Sequence, residues 1–140
     1  MKLYHGSARK LIGNKLIPKQ GRDVYDNSEN LHKAVYATDL RNAAIAMAII
    51  SCEGVRGGGL NISKNVAIPG IIYKGNPEQN DIYLYILDSK GFKPTKKGGH
   101  QFISKEPVKP LKTEKLKVKD YAHLTRKANK KELNKFNNRR

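Results

Sequence analysis

Apolar and polar positions alternate with period two in several short segments, a pattern typical of strands with one buried face. The clearest is residues 81–88, where three aliphatic side chains fall on one face and two tyrosines and a leucine on the other. Residues 3–5 and 34–38 are shorter apolar runs that predict two more strands. Further strands are predicted over residues 65–74, 100–105 and 111–118. The last of these alternates apolar and charged residues, as an exposed edge strand does.

One segment predicts a helix. Residues 40–51 follow Asp39, a favourable N-cap residue, and their alanine-rich interior has high helix propensity. Apolar residues recur at helical spacing on more than one side, so we expect this helix to be largely buried against a sheet. The glycine-rich residues 54–59 follow the helix and lack the Lys-Ser/Thr ending of a phosphate-binding loop, so they predict a flexible connection.

Together these elements predict an α+β domain. We expect two small, mainly antiparallel sheets that form a cleft, one buried Ala-rich helix and a basic C-terminal extension. The length of 140 residues is near the usual size of one domain. We assign residues 1–119 to this domain and residues 120–140 to a basic tail, which is either an amphipathic helix or partly disordered.

The charge is strongly positive and unevenly spread. The chain has 28 Lys and Arg against 12 Asp and Glu, a formal net charge of +16. Residues 1–88 carry a net charge of +3 and residues 89–140 a net charge of +13. Such a field attracts polyanions, of which nucleic acid is the commonest in a cytosol. The excess of lysine is also consistent with a compositional bias of the source, and lysine is less suited than arginine to reading base edges.

Other residue types narrow the class of protein. Cys52 is the only cysteine, so we expect a buried thiol, no disulfide and no cysteine-based metal site. The four histidines, at positions 5, 32, 100 and 123, lack the spacing of a zinc site, and we expect no metal. No apolar run is long enough to span a membrane, and the first residues lack the apolar core of a secretory signal. We therefore expect a cytoplasmic protein; the sequence leaves the oligomeric state open.

Two segments gain meaning when they are read together. Residues 4–7 (Tyr-His-Gly-Ser) end the first predicted strand, and residues 35–39 (Val-Tyr-Ala-Thr-Asp) lead into the alanine-rich helix. This order resembles the ADP-ribosyltransferases of the His-Tyr class, which includes the poly(ADP-ribose) polymerases and the small rifampicin-modifying transferases. The resemblance covers residue 3 to about residue 105 and implies that NAD is the substrate.

The resemblance also assigns roles to individual residues. His5 would donate a hydrogen bond to the adenosine-side ribose of NAD, and the backbone of Gly6 would hold the nicotinamide amide. Ser7 would support the ribose hydroxyls, and Tyr36 would stack against the nicotinamide ring. These residue types suit those contacts, since an imidazole bonds hydroxyls directionally and glycine allows a close backbone approach.

The third element of the family is a late strand that carries a glutamate. Residues 100–104 match it best, which puts Gln101 where the glutamate is expected. A glutamine can hydrogen-bond a ribose hydroxyl, but it cannot stabilise a developing cation by charge or deprotonate an acceptor. Glu106 is five residues on and falls on the opposite face. With Tyr36 and Gln101 as the catalytic pair, the resemblance implies transfer of single ADP-ribose units, or a catalytically inactive NAD-binding scaffold.

The basic residues 89–140 would then help to bind the acceptor. We expect the acceptor to be a nucleic acid, a nucleotide or a protein bound to nucleic acid. The candidate nucleic-acid-binding residues are Lys93, Lys96, Lys97, Lys105, Arg126, Lys127, Lys130 and Lys131. The alternative is a non-enzymatic nucleic-acid-binding module, in which Tyr83 and Tyr85 stack on bases and NAD has no effect. A solvated tail that maintains solubility is a further alternative for the last charges.

Overall fold

The structure is a computed structural model that describes residues 1–20, 33–60 and 68–138, and it confirms an α+β fold. The strands form two sheets, and the larger sheet contains strands from both halves of the chain. The strands are β1 (Lys2–Ser7), β2 (Lys19–Gln20), β3 (Lys33–Thr38), β4 (Val55–Gly59), β5 (Gly70–Gly75), β6 (Asp81–Asp88), β7 (Lys93–Pro94), β8 (Gln101–Ser104), β9 (Lys112–Lys117) and β10 (Thr125–Lys127). The helices are α1 (Arg41–Ile50), α2 (Val118–Tyr121) and α3 (Lys130–Asn138), with a 3₁₀ turn at Ala122–Leu124.

The larger sheet is antiparallel, with strand order β7-β8-β3-β1-β6-β9 and the short β2 paired to β3. β6 lies between β1 and β9 and pairs with both along its length. β6 has the predicted bounds, and β9 is an edge strand as predicted. The strand predicted over residues 65–74 lies partly outside the described residues. Within its described part, residues 70–74 belong to β5.

The smaller sheet has the order β10-β5-β4, with β10 parallel to β5 and β4 antiparallel to it. The prediction of a flexible connection over residues 54–59 was wrong, because most of this segment is β4. Two of its three glycines, Gly57 and Gly58, are required by packing. A Cβ on Gly57 would lie 2.9 Å from the Phe136 ring, and one on Gly58 would lie 2.5 Å from Cγ2 of Ile50.

Helix α1 packs against both sheets and is buried over most of its length, as predicted. Its closest approach is to β1, where a Cβ on Gly6 would overlap the carbonyl oxygen of Ala44. The expected N-cap is wrong by one residue: Leu40 is the N-cap and supplies no side-chain cap bond. The carboxylate of Asp39 is instead paired with His100, 2.9 Å away.

The opposite face of the larger sheet has a second apolar cluster. Leu3, Val35, Tyr85 and Leu87 are buried there beneath the segment that joins β1 to β2. Leu16 of that segment belongs to the cluster, and its backbone forms an isolated bridge with Val108. This connection is therefore tied to the sheet along one face, where it can position side chains.

The chain beyond residue 119 continues into the smaller sheet through β10 and then forms α3. Phe136 of α3 is buried and stacks on Tyr73, with ring centroids 4.5 Å apart. Asn129 and Glu132 exchange backbone-to-side-chain hydrogen bonds in a capping box, which begins the helix. Up to residue 138 the basic extension is thus folded onto the smaller sheet; the domain boundary at residue 119 stays a prediction. No helix in the described ranges is long and apolar enough to cross a membrane.

Candidate active site

His5 and Tyr36, the two residues that carry the resemblance most directly, are joined in the structure. Nδ1 of His5 lies 2.6 Å from the backbone carbonyl oxygen of Tyr36. A carbonyl oxygen can only accept, so Nδ1 carries the proton. Nε2 of the neutral ring is then a hydrogen-bond acceptor, and no described residue bonds to it. The expectation that His5 donates to a ribose hydroxyl is therefore corrected: the neutral imidazole would accept a hydrogen bond from that hydroxyl.

The environment of His5 keeps the ring neutral. Burial lowers the pKa of His5 below its ordinary value of 6.5, and the positive charge of Lys19 lowers it further. The hydrogen bond to the Tyr36 carbonyl acts in the opposite direction, because it favours the protonated ring, but burial has the larger effect. At neutral pH the site therefore presents an unprotonated nitrogen, in a fixed orientation.

The bond between His5 and Tyr36 spans a place where two strands part. In the described residues, β1 and β3 are paired at Tyr4 and Thr38. On its other side, β1 stays paired with β6 as far as Ser7. Strand alternation places His5 on the face away from α1, where it lies opposite Tyr85 of β6. The same alternation places the side chain of Tyr36 on the α1 face. The two side chains thus flank a gap in the sheet.

A cavity of about 320 Å³ opens beside this gap, on the face of the larger sheet away from α1. His5, Ser7 and Tyr36 are all among its lining residues, although the side chain of Tyr36 is placed on the α1 face. Its apolar lining includes Leu11, Leu16, Val35 and Tyr85. Helix α1 packs against both sheets, and the cavity lies on the other face of the larger sheet.

The cavity is strongly cationic. Arg9, Lys10, Lys15 and Lys19 line it, and no carboxylate is present among its described lining residues. Sequence reasoning missed these four residues, because it averaged charge over residues 1–88. A narrower window shows the signal, since residues 9–19 carry four basic side chains and no acidic one. Cationic side chains beside an apolar lining form a site suited to an anion with an aromatic part.

Tyr85 holds the cationic segment in place. Its hydroxyl accepts a hydrogen bond from the Leu11 backbone N–H at 2.5 Å and donates one to the Arg9 carbonyl at 3.3 Å. The residue is 1% exposed, and burial raises the pKa of its hydroxyl. Tyr85 therefore presents no ring face on which a single-stranded base could stack, and the stacking role considered for it is wrong.

Gly6 and Ser7 occupy different surroundings. Gly6 is packed against Ala44 of α1 and is not among the residues that line the cavity. Its contact with nicotinamide stays a prediction, but packing alone already requires a glycine at this position. Ser7 lies at the cavity, where its hydroxyl accepts a hydrogen bond from the Arg9 backbone N–H at 3.1 Å.

Gln101 lies on β8 directly opposite Thr38 of β3. It is 8% exposed, its side-chain oxygen lies 3.4 Å from the Thr95 hydroxyl, and it is not part of the cavity lining. Tyr36 is opposite Ile103, two residues further along β8, so Tyr36 and Gln101 are diagonal neighbours on the α1 face. The structure thus divides the expected site, with His5 and Ser7 on one face of the sheet and Tyr36 and Gln101 on the other.

The expected nucleic-acid-binding residues fall into two groups on different sheets. Lys93, Lys96, Lys97 and Lys105 are exposed along and beside β7 and β8, at one edge of the larger sheet. Arg126, Lys127, Lys130 and Lys131 are exposed on β10 and α3, which belong to or pack on the smaller sheet.

Two members of the second group are engaged within the protein. Arg126 makes two hydrogen bonds of 2.7 Å to the carboxylate of Glu132, and together with the Asn129 N–H it holds the pKa of that carboxyl at about 2. Lys127 donates to the carbonyl of Gly75. These contacts attach β10 and α3 to each other and to β5, which gives both residues a structural role.

Cys52 is a buried free thiol as expected; burial raises its pKa to about 11, so it is not a reactive thiolate. His32 lies outside the described residues. Within the described part of the chain, no group of three histidine, cysteine or acidic side chains is arranged to hold a metal ion. Comparison of the chain with protein-family models, with curated proteins and with solved structures finds no match.

Proposed function

We propose that this protein is an ADP-ribosyltransferase-like enzyme that binds NAD and transfers single ADP-ribose units. The observation that carries the proposal is the bond between His5 and Tyr36 at the parting of β1 and β3. The resemblance in sequence concerned two short segments 31 residues apart, and these segments meet beside a cavity.

The residues present fit a dinucleotide. NAD carries two phosphates, and four cationic side chains at the cavity, Arg9, Lys10, Lys15 and Lys19, supply complementary charge. The Nε2 atom of His5 is the type of acceptor that a ribose hydroxyl requires. The cavity volume of about 320 Å³ lies at the lower end of the usual range for small-molecule sites, about 300–1,000 Å³.

The proposed ligand has its phosphates at the cationic cavity, beside His5 and Ser7. Gln101 lies outside that cavity and is 8% exposed, so its part in the reaction is a proposal that rests on the resemblance. The proposed role of Gln101 follows from its chemistry. A glutamine can form a hydrogen bond to a hydroxyl but carries no charge, which favours transfer of single units.

The proposed acceptor is a polyanion, or a molecule bound to one. The observation that supports it is the exposed group Lys93, Lys96, Lys97 and Lys105, at the end of the sheet where Gln101 lies. Phosphate contacts of this kind position a nucleic acid without reading its sequence. We propose a cytoplasmic location, in keeping with the free thiol of Cys52.

The test is incubation with NAD labelled in its ADP-ribose part, together with nucleic acid or cell lysate. We expect label to move to an acceptor, and we expect His5→Gln to reduce transfer at least about tenfold by removing one hydrogen bond to substrate. His123→Gln is the matched control, because His123 is an exposed histidine in the 3₁₀ turn. NAD binding without transfer would identify a scaffold; absence of both would overturn the proposal.

Neutralising the lysines tests the acceptor separately. Changing Lys93, Lys96 and Lys97 to glutamine should weaken oligonucleotide binding and flatten its salt dependence. The same change at Lys112 and Lys117 of β9 and at Lys119 of α2 removes equal charge from another part of the surface and serves as the control. Equal losses in the two triple variants would show that total charge alone attracts the polyanion.

A further inference from the structure

A histidine and an aspartate form a pair at the start of β8, outside the cavity. Nδ1 of His100 lies 2.9 Å from Oδ1 of Asp39, and the two side chains are 32% and 29% exposed. The sheet register brings them together: Thr38 is opposite Gln101, so the residue after Thr38 and the residue before Gln101 become neighbours. The pair therefore lies beside the position where the resemblance expects a glutamate.

The side chain of Asp39 is used in an unexpected way. It stands one residue before the N-cap of α1, although its residue type favours the N-cap position itself. The N-cap Leu40 has no such bond from its own side chain, and the Asp39 carboxylate is directed to His100. Positions where a residue departs from its local structural preference, as Asp39 does from helix capping, are often functional positions.

The geometry also sets the proton positions on His100. A carboxylate accepts, so Nδ1 of the neutral ring carries the proton, and Nε2 is left as a base. No described residue forms a hydrogen bond to Nε2, and the side chain is partly exposed. A histidine oriented by a carboxylate, with its other nitrogen open to a reactant, is the usual arrangement of a general base.

We propose that His100 is the general base of the transfer reaction and that Asp39 is the residue that positions it. This inference rests on the function proposed above. A hydroxyl of the acceptor gives its proton to Nε2 of His100, and its oxygen forms a bond to the anomeric carbon of the ribose. The bond from that carbon to nicotinamide breaks, and nicotinamide leaves as a neutral molecule with the electron pair. Gln101 cannot take the proton, because its amide is not a base.

The need for a base identifies the class of acceptor group. Carboxylates and phosphates are already ionised at neutral pH and require no proton removal. A hydroxyl must lose its proton as it attacks. Among the groups that must lose a proton, a hydroxyl is the acceptor that we propose, and the product is then a glycosidic linkage that neutral hydroxylamine does not cleave, unlike the ester formed on a carboxylate.

The experiment compares His100→Ala, His100→Gln and Asp39→Asn with the full-length protein, using labelled NAD. We expect transfer to fall about 10²- to 10⁴-fold in each variant, the usual contribution of a general base. The affinity for NAD, measured by calorimetry, should stay within about twofold. His123→Gln and Asp120→Asn are the matched controls, because both residues are exposed and lie outside the larger sheet.

Two readouts separate a base from a structural residue. Added imidazole should restore part of the transfer by His100→Ala, because a small base can enter the space that the side chain leaves. Transferred label should also resist hydroxylamine. Full transfer by His100→Ala, or label released by hydroxylamine, would overturn this inference and leave the proposed function intact. If the unaltered protein neither binds NAD nor transfers label, both are wrong.

Discussion

The imidazole of His5 donates from Nδ1 to the backbone carbonyl of Tyr36 over 2.6 Å. The bond connects β1 with β3 at the place where their ladder of paired residues stops. It fixes which nitrogen of the ring carries the proton, and it aims the other nitrogen away from the strand. The character of the cavity follows from this contact, because Nε2 becomes an acceptor beside four cationic side chains.

The fixed tautomer predicts discrimination between NAD and its 2′-phosphorylated form, NADP. A ribose hydroxyl can donate to Nε2, whereas a phosphate offers only lone pairs to a nitrogen that also lacks a proton. At pH 7.5 we expect NAD to bind about tenfold more tightly than NADP, the upper end of what one hydrogen bond between neutral groups contributes. Calorimetric titration with each dinucleotide measures the ratio. Equal affinities would contradict the assignment of the tautomer.

The lowered pKa of His5 predicts a pH dependence of stability. In the unfolded chain His5 is protonated near pH 6.5, whereas in the folded protein it is protonated only at a lower pH. The free energy of unfolding contributed by neutral His5 is therefore complete above pH 6.5 and is lost as the pH falls towards the folded pKa. Urea unfolding at pH 7.5 and pH 5.0 should show a smaller difference for His5→Gln than for the unaltered protein. An unchanged difference would rule out this effect of burial.

Gly6 should be intolerant of any side chain, for a reason that is independent of NAD. A methyl group there would overlap the Ala44 carbonyl oxygen and push α1 away from β1. We expect Gly6→Ala to lower the free energy of unfolding by about 3 kcal/mol, as overpacking of a core does. Gly59→Ala is the control, because nothing lies within 4 Å of a Cβ at Gly59. Similar denaturation midpoints for the two variants would show that α1 can shift at little cost.

Tyr85 should couple the core of the sheet to the cavity. Tyr85→Phe leaves the Leu11 N–H without its acceptor, at a cost of about 1–3 kcal/mol in stability. Because the same hydroxyl also contacts the Arg9 carbonyl, we expect weaker NAD binding as well. Tyr83→Phe, on the same strand, is the comparison. If Tyr85→Phe keeps full affinity for NAD, the segment from residue 9 to residue 19 is held by other contacts.

Much of the fold follows from local sequence patterns. Alternation of apolar residues located β6 and the edge strand β9, and the alanine-rich run located α1. Local patterns failed at β4, because glycine has low strand propensity and the strand forms by pairing with β5. Its glycines are explained by Ile50 and Phe136, which leave no room for a Cβ at Gly58 and Gly57. They failed again at Asp39, whose capping tendency is overridden by a partner 61 residues away.

The candidate site was predictable only in part. The order of the His-Gly-Ser and Tyr segments indicated which residues would meet, and His5, Ser7 and Tyr36 do share a cavity. The face of the sheet on which each side chain lies depends on strand register, and register is set by long-range pairing. The separation of Gln101 from the cavity, the burial of Tyr85 and the pair formed by Asp39 and His100 all follow from register.

The most direct test is calorimetric titration of the full-length protein with NAD, alongside His5→Gln, His5→Ala and the control His123→Gln. We expect saturable binding by the unaltered protein and by His123→Gln. We expect about tenfold weaker binding by both His5 variants, because they lose the acceptor at Nε2. No heat of binding from the unaltered protein at saturating NAD, or unchanged affinity in both His5 variants, would contradict the proposed function.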